Sequence, residues 1–233
     1  MKLFLRAGHE HTGDPGAIAF DGTRESVVNN NVVNLISQKL QNKVQTVISA
    51  RPYNTQEDYH TAKQKRCNLI LFLHCNSATN STATGAEVYY NHTNFEGYGS
   101  SLLNYYSRAM GLNKRSCTLK AAVAAMDYTD IPILLLEMGF LSNYSDLQKL
   151  KFQQDYISDS IIHWILGQCP DVREYTFEEN SDLYNRNDSS SNFKLLAPVR
   201  VINGRTYLPL RDVANLTGKK AGYLPGVKKI ILF

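Results

Sequence analysis

The sequence predicts an α/β fold, with a mostly parallel central sheet flanked by helices on both faces and then a small α+β C-terminal module. Three observations predict it. The runs LILFLH (69–74) and IPILLLE (131–137) are continuously apolar over strand length, the pattern of strands covered on both faces. Segments with helical spacing lie between the strand-like runs. After Cys169-Pro170 the chain turns polar and poor in aliphatics before apolar strands return.

Taken in order, KLFLRA (2–7) reads as a short strand. SVVNNNVVNLISQKL (26–40) puts Val28, Val32, Leu35, Ile36 and Leu40 at helical spacing, with Thr23 as the expected cap, and VQTVISA (44–50) follows as a second strand. After LILFLH, GAEVYY (85–90) is strand-like, FEGYGSSLLNYYSRAM (95–110) helical, and IPILLLE the last long strand. Residues 145–167 close the unit as one helix or a pair.

The expected division is a catalytic domain over 1–168, a linker over 169–192 and a small module over 193–233. The module carries an Asn-Gly turn between apolar strands, a short helix at LRDVANLTG and a final strand KKIILF. About 40 residues is marginal for an independent core, so this piece is expected to dock or to form a homo-oligomer.

Composition narrows the class. With 43% apolar and 20% charged residues, and no apolar run of membrane-spanning length, no membrane insertion is expected. A net charge of +4 spread along the chain does not single out nucleic acid as a partner. The four cysteines form no CxxC pair and read as reduced thiols. MKLFLRAGHE lacks the apolar stretch of a signal peptide, so synthesis without an export signal is expected.

In an open α/β sheet ligands bind beyond the carboxyl ends of the strands. His9 follows the first strand, His74 ends LILFLH and Glu137 ends IPILLLE; Glu25 falls in the first turn of the first helix. Two imidazoles with one or two carboxylates at one rim are the donors of a catalytic zinc, which keeps a position open for water. Glu137 abuts five apolar residues, a costly place for a carboxylate away from a cation or cleft. In GHEH, His9 and His11 both qualify as ligands; His9 is preferred, with His11 lining the groove. His74 and Asn76 share one side of their strand, so Asn76 is expected either to reach substrate at the site or to cap the strand end, while Cys75 points into the core.

In this order AGHEHTGDPGA, TRESVVNN, LFLHCNS, GAEVYY and LLEMGFLSNYSD resemble the zinc-dependent N-acetylmuramoyl-L-alanine amidases of the amidase-3 type, found in bacterial wall hydrolases and phage endolysins. The resemblance covers about residues 1–168. It implies that His9, Glu25 and His74 bind Zn2+, that Glu137 is the catalytic carboxylate, and that the partner is peptidoglycan. The usual GHGG loop is here Gly8-His9-Glu10-His11, which removes two glycines and adds an imidazole. INGRTYLPLRDVANLTGKKAGYLPGVKKIILF is similar to the copper-amine-oxidase N-terminal-like repeat of secreted Gram-positive proteins, which implies wall anchoring and no copper. A lytic domain with a small accessory module and no export signal is the expected organisation of an endolysin, and it also fits a mother-cell sporulation amidase. Such an enzyme is made in the host cytoplasm and reaches the wall after holin-type release.

Overall fold

The computed structural model describes residues 1–9, 13–41, 43–49, 55–119 and 129–168, together with seven short strands between residues 175 and 232. Two compact units are present, Met1–Cys169 and Pro170–Phe233.

The first unit is built on β1 (Lys2–Ala7), α1 (Glu25–Leu40), β2 (Gln45–Ile48), α2 (Thr55–Gln64), β3 (Leu69–Asn76), β4 (Ala86–Tyr90), α3 (Glu96–Met110), β5 (Lys114–Leu119), β6 (Ile133–Phe140), α4 (Tyr144–Phe152) and α5 (Gln154–Gly167). The six strands form one sheet in the order β2-β1-β3-β6-β4-β5. Neighbours β2, β1, β3 and β6 run parallel, and β4 joins β6 antiparallel with β5 parallel to β4. The sheet is therefore mixed but mostly parallel, as predicted.

Alternation along the strands sorts the core into two layers. Leu3, Leu5, Leu69, Leu71, Leu73, Leu134 and Leu136 face α1, α3 and α5, packing on Val28, Val32, Ile36, Leu102, Tyr106, Ile161 and Ile165. Phe4, Ile70, Phe72 and Ile133 face the other way, onto Tyr59 and Ala62 of α2. Each such buried aliphatic contributes on the order of 1.5–3 kcal/mol. The strand made most polar by sequence, β5, sits at the sheet edge, where Lys114, Arg115, Thr118 and Leu119 are exposed and only Ser116 and Cys117 are half-buried.

The expected Thr23 cap is not used. Arg24 occupies the N-cap position without a side-chain bond, and the first helical N–H groups donate to the carbonyls of Ala17 and Pro15. The loop after β1 therefore closes onto the start of α1. The final helical segment divides into α4, capped by the Asn143 side chain accepting from the Asp146 N–H, and α5.

In the second unit Tyr175–Phe177, Leu183–Arg186 and Asn192–Lys194 form a three-stranded antiparallel sheet. Strand pairing thus occurs inside residues 169–192, the segment read as a linker. The alternating Tyr175 and Phe177 in an otherwise polar stretch are enough to form short strands. Arg200–Ile202 pairs antiparallel with Arg205–Tyr207, and Ala221–Leu224 with Lys229–Leu232. The helix expected at LRDVANLTG lies outside the described residues.

Candidate metal centre

The parallel strands β1, β3 and β6 end at one edge of the sheet, and the sequence-predicted site residues gather there. His9 follows β1 by two residues with its backbone at φ 60°, a left-handed conformation uncommon for a residue with a Cβ. Its Nδ1 lies 2.9 Å from Asp14 Oδ2, and Asp14 Oδ1 accepts from the Gly16 N–H at 3.0 Å. This turn aims His9 Nε2 at Glu25, 3.6 Å from Oε2.

Glu25 reaches the same point from the first turn of α1. Its side chain is only 4% exposed and almost fully engaged. Oε1 accepts from the Cys75 N–H at 3.0 Å and from Asn29 Nδ2 at 3.2 Å and lies 3.0 Å from His74 Nδ1, while Oε2 accepts from the Ala17 N–H at 3.0 Å. Burial pushes this carboxyl up, but the hydrogen bonds from His74, Ala17 and Cys75 outweigh it and hold the group below its ordinary value. Glu25 is therefore a preformed anion inside the protein.

His74 continues the Ile70, Phe72 side of β3 past the apolar core. Its Nε2 is buried and meets no hydrogen-bond partner among the described residues. His9 and His74 meet edge to face, ring centroids 5.0 Å apart. Donor atoms of His9, Glu25 and His74 lie within 4.8 Å of one another. Two backbone positions make the space. A Cβ on Gly8 would overlap the His74 ring, and a Cβ on Gly16, at φ +63°, would lie 2.7 Å from Glu25 Oε2 and 2.9 Å from His9 Cγ. Two imidazoles and one carboxylate, with a buried ring nitrogen lacking a partner, fit a divalent transition metal.

Glu137 stands next to His74 in the parallel β3–β6 register. On its other side, in the antiparallel β4–β6 register, stands Glu87. Partners in register project to the same face, so His74, Glu137 and Glu87 form one row across three strands. Glu87 accepts from Arg115 Nε at 2.6 Å, from Tyr89 Oη at 2.5 Å and from Asn76 Nδ2 at 3.1 Å. Burial, then the bond to Glu87, pushes the Tyr89 phenol well above its ordinary range, so it stays a proton donor to that carboxylate. Asn76, expected to reach substrate, has its amide committed to Glu87 and its Oδ1 to the Ser77 N–H. Cys75 points into the opposite layer, its Sγ 3.3 Å from Asn29 Oδ1. His11 lies outside the described residues.

Asp14, Asn29, Glu87, Tyr89 and Arg115 escaped the sequence reading. Asp14-Pro15-Gly16 carries a turn signature that could have placed Asp14 beside His9. Glu87 could have been found as Glu137 was, as an acid inside an apolar strand.

The family described as N-acetylmuramoyl-L-alanine amidase matches residues 3–166, nearly all of the unit that carries this edge. This chain belongs to that amidase family. It is 30% identical over 157 residues to the N-acetylmuramoyl-L-alanine amidase LytC of Bacillus subtilis, a match covering 64% of this chain. That match spans only 31% of the length of LytC. Among solved structures, the catalytic domain of the amidase CwlV from Bacillus (Paenibacillus) polymyxa superposes with a TM-score of 0.65 at 22% identity, covering 72% of this chain and 97% of that one. The amidase AmiC2 of Nostoc punctiforme superposes with a TM-score of 0.65 at 20% identity, covering 72% and 96%. The family match ends at residue 166, just before the first compact unit ends at Cys169.

Proposed function

We propose that this chain is a peptidoglycan hydrolase that cleaves the amide between the lactyl group of N-acetylmuramic acid and the L-alanine of the stem peptide. The observation that carries the reading is the row at the sheet edge. A His/Glu/His donor set, with Glu25 buried and His9 half-buried, sits beside a carboxylate, Glu137, in register with one of the donors.

His9, Glu25 and His74 would hold a zinc ion, and a zinc ion bound there supplies Lewis acidity to the scissile carbonyl and to the attacking water. Glu25, kept anionic by its hydrogen bonds, supplies the negative charge of the donor set. Asp14 fixes the orientation of His9 through Nδ1 and leaves Nε2 as the free donor. Glu137 acts as general base and then general acid. It accepts a proton from water as the water oxygen bonds to the carbonyl carbon, and it delivers that proton to the alanine nitrogen as the carbon–nitrogen bond breaks.

Digestion of purified peptidoglycan tests this directly. The expected product is a new free amine on L-alanine, lost on chelation and restored by zinc. A new amine on any other residue would identify a peptidase acting on the cross-links.

We further propose that the protein acts at the wall as a lytic enzyme of the endolysin type, reaching it after holin-type release, with Pro170–Phe233 serving as the wall anchor. The support is the two-unit organisation and the resemblance of the tail to a surface-protein repeat. Sedimentation of the full chain with purified walls tests the anchor, and self-association in light scattering without wall binding would replace it.

A further inference from the structure

Glu87 and Glu137 face each other directly across β4 and β6. Like charges in that arrangement repel at close range, because opposed side chains begin about 4.5–5.5 Å apart. Beside Glu87 the sheet places a cation. Arg115, from the start of β5, donates Nε to Glu87 Oε1 at 2.6 Å, and its guanidinium carbon lies 4.9 Å from the centroid of the Phe140 ring. Phe140 is three residues beyond Glu137 on the same strand. Arg115 therefore touches both the strand that bears Glu87 and the strand that bears Glu137. Tyr89 and Asn76 saturate the other Glu87 oxygen, so Glu87 is held on the β4 side of the row.

We propose that Arg115 and Glu87 form a charge-compensated positioning pair for Glu137, keeping its carboxylate aimed at the His74 side of the row instead of being displaced by a second anion. This rests on the reading of Glu137 as the general base. Glu87 and Arg115 are positioning residues in this scheme, acting through Glu137 without touching the reacting atoms.

A charge-reversal-free cycle tests it: Arg115→Met, Glu87→Gln and the double variant, each assayed on solubilised muramoyl-peptide with zinc content and melting temperature measured in parallel. Arg115→Met leaves Glu87 as an uncompensated neighbour, and kcat is expected to fall about tenfold or more with KM within about twofold, the signature of an interaction lost in the transition state. Glu87→Gln alone removes the repelling charge and is expected to cost less. The double variant, neutral at both positions, is expected to recover most of the lost kcat, a coupling that independent structural damage does not produce. A rise in KM with unchanged kcat in Arg115→Met would make Arg115 a substrate contact and overturn the proposal. Unchanged kcat in Arg115→Met, or a double variant no better than the single one, overturns it as well. Wild-type protein that releases no alanine amine in the same assay would instead refute the amidase reading itself.

Discussion

Glu137 on β6 stands beside His74 on β3 in a parallel register that runs unbroken from Ile70 opposite Ile133. Four apolar pairs fix this neighbour relationship before the polar residues are reached. A carboxylate is thereby delivered to the side of an imidazole by strand pairing, with no loop involved. Positions set by rigid strands vary less than positions set by loops, which suits a group whose proton transfer depends on sub-ångström placement.

Glu137→Gln is expected to retain zinc and the wild-type melting temperature, because the amide is isosteric and no donor atom of the metal set is removed. Its turnover should fall by roughly 10² to 10⁴. Metal analysis alongside an amine-release assay checks both halves.

Gly8→Ala is expected to abolish zinc binding. The added methyl falls within the His74 ring, which must swing out of the row. Gly16→Ala should act similarly on Glu25 and His9, and its backbone at φ +63° adds strain of about 1 kcal/mol or more. Zinc titration of the two variants, with Gly97→Ala as the comparison where a methyl meets open space, reads the effect.

Much of this site was legible because two apolar runs of strand length end in the residues concerned. Leu69–His74 and Ile131–Glu137 each break from aliphatic to ionisable at the sheet edge, and a change that abrupt has few explanations besides a site. Glu25 was legible from its place at a helix start. The Glu87 and Arg115 pair was not, because KRSCTL carries no apolar run and becomes a strand only with β4 as its neighbour. Likewise TQEDYHTAKQ shows little apolar periodicity, and α2 is held by Tyr59 and Ala62, its buried apolar residues, in the cluster with Phe4, Ile70 and Phe72. Thr23 failed as a cap because the Ala17 and Pro15 carbonyls already take the first helical N–H groups, a long-range closure that spacing does not reveal.

Asp14→Ala is expected to weaken zinc affinity about 10- to 100-fold without removing a ligand, since it frees the His9 ring from its orienting bond. Competition with a chromophoric chelator measures this. Activity at saturating zinc should return close to wild type.

The loop that carries His9 is tied to α4 by Lys151 Nζ, 2.6 Å from Asp21 Oδ2. The bond from Lys151, then those from Thr23, pull the Asp21 carboxyl from 3.8 down to about 2. The unfolded chain therefore binds more protons than the folded one between those values, and stability rises with pH across that window. The contribution is complete above about pH 4 and lost as pH falls through about 2. Asp21→Asn should melt below wild type near neutral pH and converge with it toward pH 2, as read by calorimetry across a pH series.

Diffraction from zinc-soaked crystals, collected above and below the zinc absorption edge, tests the central claim most directly. The expected result is one anomalous peak bounded by His9, Glu25 and His74, with the Glu137 carboxylate facing it. A peak elsewhere, or none at this edge with the three side chains turned apart, would contradict the account.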